Sequence, residues 1–262
     1  MAMSGSYWRG VRAQGGALPA DRPLTDLTAE LTRMLGDPDP QLREEIAVRM
    51  LVDWLTQGVY DDLLVGLGDG MATGLTVGIG ERGTDSALRR TASATVLTAC
   101  LARDTARSLV PAGKVLEWGD RVVAWLLTDR DLRAVVPGAD ALATLSASPH
   151  VGRPELTVVL DVVADRVLAP TADRFGLAEA DTLARTTIAV LRRDVVGLDL
   201  LEPWVMRLGV GAMEDARRTG NAEAFLRALY THVTVGRRPL GVRADLVLLL
   251  VDVLREINAD LR

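Results

Sequence analysis

The chain has 262 residues, 48% of them hydrophobic, enough for a sizeable core in one large domain or a continuous array. Its net charge of −5 and pI of about 5.2 argue against a general nucleic-acid or anionic-membrane binder. A single cysteine, Cys100, excludes an internal disulfide and fits a reducing compartment.

Residues 1–6 are expected to be disordered, and Tyr7 and Trp8 to begin a short helix within an N-terminal extension spanning 1–23. The opening MAMSGSYWRG carries no apolar signal core, and no stretch approaches the roughly 20 apolar residues that span a bilayer. A cytoplasmic chain without a membrane segment is the expectation. From residue 24 onward the pattern is helical. Leu24, Leu27, Leu31, Met34 and Leu35 recur at three- and four-residue steps. Gly36-Asp37-Pro38-Asp39-Pro40 stops that helix and starts the next, with Asp39 as cap and Pro40 at the first helical position. Leu42, Ile46, Met50 and Trp54 then form a stripe, ended by Gly58. Residues 60–77, apolar and glycine-rich, read as a short or irregular helix.

Thr84 to Arg103 reads as a long helix with Leu88, Ala92, Val96, Ala99 and Cys100 inward. Val115 to Thr128 is helical, and another helix follows Pro137-Gly138, with Asp140 at its start. Leu156 to Leu168 keeps helical spacing despite its valines. Helices near 177–193, 200–218, 222–235 and 243–258 complete the chain, separated by Gly197, Gly220 and Arg237-Arg238-Pro239.

Second helices of successive pairs start near 41, 84, 138, 179 and 222, mostly at the ~40–47-residue spacing of HEAT and armadillo repeats, with an insertion around 104–137. The expected fold is therefore all-α: a HEAT/armadillo-like helical-repeat solenoid of stacked antiparallel helix pairs, one domain over 24–262. The strongly apolar last helix is expected to pack across the end of the array or against a second copy, as in a homodimer.

The densest set of polar side chains lies in Val77–Arg90, VGIGERGTDSALRR. Gly78, Gly80 and Gly83 spell G-x-G-x-x-G, the spacing of a dinucleotide cradle, with Asp104 about twenty residues on. Gly74–Val77 is too short and glycine-broken for a buried strand, and no strand–helix alternation follows. The stretch reads instead as a tight helix-to-helix turn, with Thr84 or Asp85 as N-cap. Asp85 and Arg89, four apart, can pair on one face, with Glu81 and Arg82 in the loop before them. A polar pocket at that helix start, facing Asp140 and walled by Trp54, is the candidate binding site. Its residues are Glu81, Arg82, Asp85, Arg89, Asp140 and Trp54.

This segment resembles the signature of an uncharacterised bacterial family, domain-of-unknown-function family 2785. The resemblance extends to Tyr7-Trp8, Leu35–Asp39 with Leu42-Arg43, Trp54, Asp131-Leu132-Arg133, Ala139–Leu142 and Phe225–Tyr230. It implies an all-helical, HEAT-like fold and brings no established activity. The chain departs from the family pattern in one place: Arg133 runs through Ala-Val-Val-Pro-Gly to Ala139 without the Trp- and His-containing segment found there, as in a degenerate member. Only Lys114 among thirty basic residues is lysine, a bias that suggests a GC-rich bacterial genome.

His150 and His232 have no metal-ligand spacing, no CxxC or HExxH occurs, and neither metal nor cofactor is expected. Cys100, on an apolar stripe, reads as a buried inert thiol. Three functions are consistent with these features. The first is a non-enzymatic binding or scaffold protein holding a protein or small-molecule ligand in a concave groove. The second is a small-molecule enzyme of bacterial secondary metabolism with an acid–base pocket. The third is nucleic-acid binding through Arg89-Arg90, Arg192-Arg193, Arg217-Arg218 and Arg237-Arg238, read as pairs near helix ends.

Overall fold

A computed structural model of the chain describes residues 5–258 except Arg130, Ala172 and Pro239. It is all-helical: twelve α-helices and no strand among the described residues. In order they are α1 (Gly5–Ala13), α2 (Leu24–Met34), α3 (Arg49–Gln57), α4 (Leu64–Gly74), α5 (Asp85–Arg107), α6 (Ala112–Thr128), α7 (Val135–Ser146), α8 (Arg153–Val167), α9 (Leu177–Leu191), α10 (Leu198–Glu214), α11 (Ala216–Val235) and α12 (Arg243–Ile257). A π-helical segment, Gln41–Val48, runs directly into α3, and 3-10 turns precede α4 and α7. Among the described residues, no helix is long and apolar enough to cross a membrane.

The chain divides into two compact units, Met1–Pro137 and Gly138–Arg262. In the first, α4 packs on α5 and α6, α3 packs on α5, and the π-helical segment lies against α1, α2 and α5. Three buried rings form its N-terminal core, Trp8 against Trp54 and Trp54 against Tyr60, each pair with centroids 6.4 Å apart. Each ring buries an apolar body and satisfies its polar atom, as buried Trp and Tyr require. Trp8 Nε1 donates to Glu30 (3.2 Å), Trp54 Nε1 donates to the Gly16 carbonyl (2.8 Å), and the Tyr60 and Thr28 hydroxyls share a bond of 2.9 Å. Gly58, at φ +83°, ends α3, and the Val59 amide turns back to the Trp54 carbonyl. Gly68 admits the Trp118 indole: a Cβ there would stand 2.1 Å from Trp118 Cζ2.

In the second unit α10 lies against α8 and α12, and α11 against α9, α10 and α12. Trp204 meets Phe225 edge-on at 6.1 Å and donates its Nε1 hydrogen to the Leu160 carbonyl.

Four expectations need correction. Residues 1–4 of the stretch expected to be disordered lie outside the described residues, but Gly5 and Ser6 belong to α1. Asp140 does not start a helix: α7 begins five residues earlier, because Pro137 occupies its first turn, where the missing N–H has no intrahelical partner to lose. Gly220 lies inside α11, and the break falls at Asp215, whose carboxylate caps the helix through the Arg217 amide (2.9 Å). Arg217 and Arg218 consequently sit in the first turn of α11, paired with Asp215 and Glu214, at the N-terminal rather than the C-terminal end of a helix. Of the expected break Arg237-Arg238-Pro239, Pro239 lies outside the described residues.

Candidate functional site

The glycine loop connects α4 to α5. Gly78, Gly80 and Gly83 adopt φ of +56°, +89° and +68°, a region that only glycine enters without strain. These turns aim the loop's carbonyls inward, onto the guanidinium of Arg90. Arg90 is completely buried. Its Nη1 donates to the carbonyls of Val77 (2.8 Å) and Gly78 (2.6 Å), its Nη2 to that of Glu81 (2.7 Å), and its Nε to Asp129 Oδ2 (2.6 Å). Asp129, also buried, accepts from Trp125 Nε1 (2.8 Å) and from the Asp131 amide (2.9 Å). Asp131 in turn takes the Arg133 guanidinium and amide and the Gly83 amide, which hold its carboxyl down at about 2. A phosphate cradle presents N–H groups to a ligand. This loop presents carbonyls to an internal cation, so its glycines serve a helix-to-helix turn. Asp104 accepts the Leu109 and Val110 amides at 2.8 Å and caps the end of α5.

The predicted site residues of the first unit have separate placements. Glu81 accepts from the Thr84 hydroxyl (3.0 Å), and Thr84 caps α5 through the Ala87 amide. Arg82 is exposed in the loop and Asp85 is exposed in the first turn of α5. Arg89 lies along Gly36: a Cβ there would stand 3.4 Å from the Arg89 Cβ. Trp54 is fully buried in the aromatic core, with its indole hydrogen on Gly16.

Asp140 belongs to the second unit and to a cluster that sequence reasoning did not assemble. Arg185 of α9 lies 3.7 Å from Asp140 and 3.1 Å from Asp181. Asp181 also meets His232 Nε2 of α11 at 2.7 Å. Four ionisable side chains from α7, α9 and α11 thus form one chain of contacts, each only partly covered. Burial pushes the Asp140 carboxyl upward, and Arg185 opposes that shift. The available signal was the four-residue spacing of Asp181 and Arg185. Chemically, a carboxylate on Nε2 orients the imidazole and leaves Nδ1 for a proton or a hydrogen bond.

The first unit also carries open grooves, two of them between helices of its core. One, of about 410 Å³, runs between α2 and α4 over Tyr60 and Met71, walled by Thr25, Thr28, Gly66 and Gly70. The other, of about 440 Å³, lies between α3 and α5 and is lined by Val52, Thr56, Ala99, Ala102 and Ala106. Small side chains make up much of both linings, beside Leu63 and Leu67 in the first and Arg103 in the second.

The profile of one family, described as "Protein of unknown function (DUF2785)", matches residues 75–231. The span starts just before the glycine loop and takes in Arg90, Asp129, Asp140, Asp181 and Arg185. No curated protein and no solved structure matches the chain. The match extends over more than half of the 262 residues, and on that basis the chain belongs to the DUF2785 family.

Proposed function

We propose that this protein is a non-enzymatic binding protein of the bacterial cytoplasm, built as a HEAT-like stack of helix pairs that holds a small ligand in a groove between neighbouring helices. The groove between α2 and α4 carries the reading. Its volume of about 410 Å³ falls in the range of ligand pockets, roughly 300–1,000 Å³, and its walls are apolar with a few hydroxyls. The stacking is supported by a recurring separation between bonded side chains. Arg103 reaches Asp61 across 42 residues, Trp118 reaches Asp69 across 49, Trp204 reaches Leu160 across 44, Arg193 reaches Ser146 across 47, and Asn221 reaches Phe175 across 46. One helix pair of ~40–47 residues, repeated, produces four of these separations, and the Trp118–Asp69 pair lies just beyond it.

A thermal-shift screen of the whole chain against small molecules tests the proposal, repeated on Ala29→Trp, which fills the α2/α4 groove from its rim. The expected result is ligands that stabilise the protein, are recovered unchanged, and lose their effect in the variant. Absence of any stabilising ligand, or hits that Ala29→Trp leaves intact, would overturn it.

The Asp140–Arg185–Asp181–His232 cluster favours a second reading, an acid–base enzyme. Chemically altered ligand, with turnover abolished in His232→Ala, would establish that reading instead. The arginine pairs give nucleic-acid binding less support: Arg90 and Arg193 hold internal carbonyls, and Arg217 and Arg218 are paired with acids.

A further inference from the structure

The α2/α4 groove has an unusual wall. Gly66 and Gly70 stand one helical turn apart on α4, both exposed and both lining the groove. Glycine inside a helix is less favourable than alanine because it has more freedom to lose. At Gly68 and Gly74 the structure explains that choice, since a Cβ would collide with Trp118 or Ser93. At Gly66 and Gly70 an added Cβ meets nothing within 4 Å. No neighbour inside the protein requires these two glycines. Beside Leu63 and Leu67, which also line the groove, they leave the helix backbone of that wall uncovered.

The opposite wall is formed by short side chains one turn apart on α2, Thr25, Thr28 and Thr32, and the floor by Tyr60 and Met71. The Thr28 hydroxyl is committed to the Leu24 carbonyl and to Tyr60, so it adds a short, internally satisfied surface. A slot between a glycine wall and a threonine wall suits a thin, flat body better than a branched one. Asp62 lies at the rim, exposed, and among the described residues no cation pairs with it. Its neighbours Asp61 and Asp69 are by contrast engaged, Asp61 by Arg103 and Asp69 by Lys114 and Trp118. Among the described residues, the only charged side chain lining the groove is therefore an uncompensated carboxylate.

From this geometry we infer that the α2/α4 groove binds a planar aromatic cation, its ring system slotted between the Gly66/Gly70 wall and the threonine wall and its charge beside Asp62. The inference rests on the binding-protein reading above and names its ligand class. Aromatic faces stack well on flat apolar surfaces, and a rim carboxylate selects charge more than it adds affinity.

The test is calorimetric titration of the full chain with three planar tricycles of similar size: the cation proflavine, neutral anthracene-9-methanol and the anion anthracene-9-carboxylate. Proflavine is expected to bind and the anion not to. The double variant Gly66→Ala/Gly70→Ala places two methyl groups in the slot and is expected to weaken proflavine about tenfold or more, by the cost of overpacking a fitted contact. The same variant is expected to raise the thermal midpoint by about 4 °C, because both changes favour the helix. Loss of binding together with a gain in stability separates a ligand site from a folding defect. Asp62→Asn is expected to weaken proflavine up to about fivefold, the scale of an exposed ion pair, and to remove the salt dependence of binding.

Failure to bind any of the three tricycles overturns the inference, as does proflavine binding that Gly66→Ala/Gly70→Ala leaves unchanged. Equal binding of all three tricycles, sensitive to the glycine variant but not to Asp62→Asn, overturns the assignment of a cation and leaves the groove reading standing. The groove reading itself falls on a different result, the absence of any Ala29→Trp-sensitive ligand in the screen.

Discussion

Replacing Arg90 with methionine removes the charge that organises the glycine loop while keeping most of the apolar stem. Four hydrogen bonds are lost: three to the carbonyls of Val77, Gly78 and Glu81, and one to Asp129. The carbonyl losses are largely recoverable. Val77 and Glu81 are exposed and Gly78 is partly so, so the loop can turn its carbonyls to water. The loss at Asp129 is not recoverable in the same way. That carboxylate is buried and, among the described residues, keeps the Trp125 and Asp131 N–H groups as its hydrogen-bond donors. Breaking a buried ion pair from one side typically costs about 3–5 kcal/mol, and we expect roughly 4 kcal/mol here, a large part of the ~5–15 kcal/mol that holds a typical domain together. The double variant Arg90→Met/Asp129→Leu removes both charges and is expected to recover about half of that loss: replacing the buried pair is itself close to neutral, but the Trp125 and Asp131 N–H groups lose their acceptor. Urea unfolding followed by tryptophan fluorescence measures both. Trp8, Trp54, Trp118 and Trp125 lie in the first unit and Trp204 alone in the second, so the signal reports mainly on the unit that carries the change. A cost below about 1 kcal/mol for Arg90→Met, or a double variant no better than the single, would show that the pair is not what holds this loop.

Three further predictions rest on the same packing. Gly68→Ala is expected to lower the thermal midpoint although alanine favours the helix by about 1 kcal/mol, because its Cβ would stand 2.1 Å from a fully buried Trp118 that has nowhere to move; a rise in midpoint refutes the packing. Burial pushes the Tyr60 hydroxyl up to about 12 from an ordinary value of 10.0, so its folded pKa is the higher one. The stability from keeping it neutral is complete below pH ~10 and is lost progressively as pH rises to ~12, up to roughly 2–3 kcal/mol, which Tyr60→Phe should abolish in an alkaline denaturation series. Asp131 is shifted the other way, to about 2, by Arg133 and by backbone amides. Its contribution is present above the ordinary carboxylate range near pH ~4 and is lost as pH falls towards ~2, so an acid titration of Asp131→Asn should show a shallower loss of stability over that window.

Much of the helical framework was legible because the signals that stop and start helices are local. Gly58 ends α3 by entering the left-handed region, Thr84 offers its hydroxyl to Ala87, and Pro111 stands just before α6. Gly220 misled because glycine was read as a stop, whereas the stronger local signal was the Asx cap at Asp215, five residues earlier. The site was less legible, since its decisive contacts join residues far apart in sequence. Arg89 and Arg90 look alike as a pair, yet one is partly exposed and the other fully buried. A periodicity signal was nevertheless present. Ala87, Arg90, Ala94, Leu97, Leu101 and Asp104 are all buried and fall at alternating three- and four-residue steps on α5. A charged residue in that register needs a buried partner. That the partner is Asp129, 39 residues on, follows only from the packing of α5 with the chain beyond α6.

The arginine content of this chain takes on a physical meaning once these contacts are compared. Arg43 donates to the carbonyls of Asp37 and Pro38 in the turn after α2. Arg90 does so for Val77, Gly78 and Glu81 between α4 and α5, and Arg193 for Ser146, Ser148 and Val151 between α7 and α8. In each case a helix-to-helix turn directs several carbonyls to one point, and a single planar guanidinium with five donors satisfies them. An ammonium would present a compact point charge on a flexible stem instead. The arginine bias first read as a mark of genome composition is thus, at these positions, the means by which tight turns bury their backbone. It also bears on function. The arginines drawn inward at these turns are not available to a basic face, and among the described residues the one charged side chain lining the α2/α4 groove, Asp62, is negative. On the function proposed above, the tight connections and the ligand groove occupy different parts of the same unit, which is why the glycine loop, the most conspicuous motif in the sequence, is not where the ligand is sought.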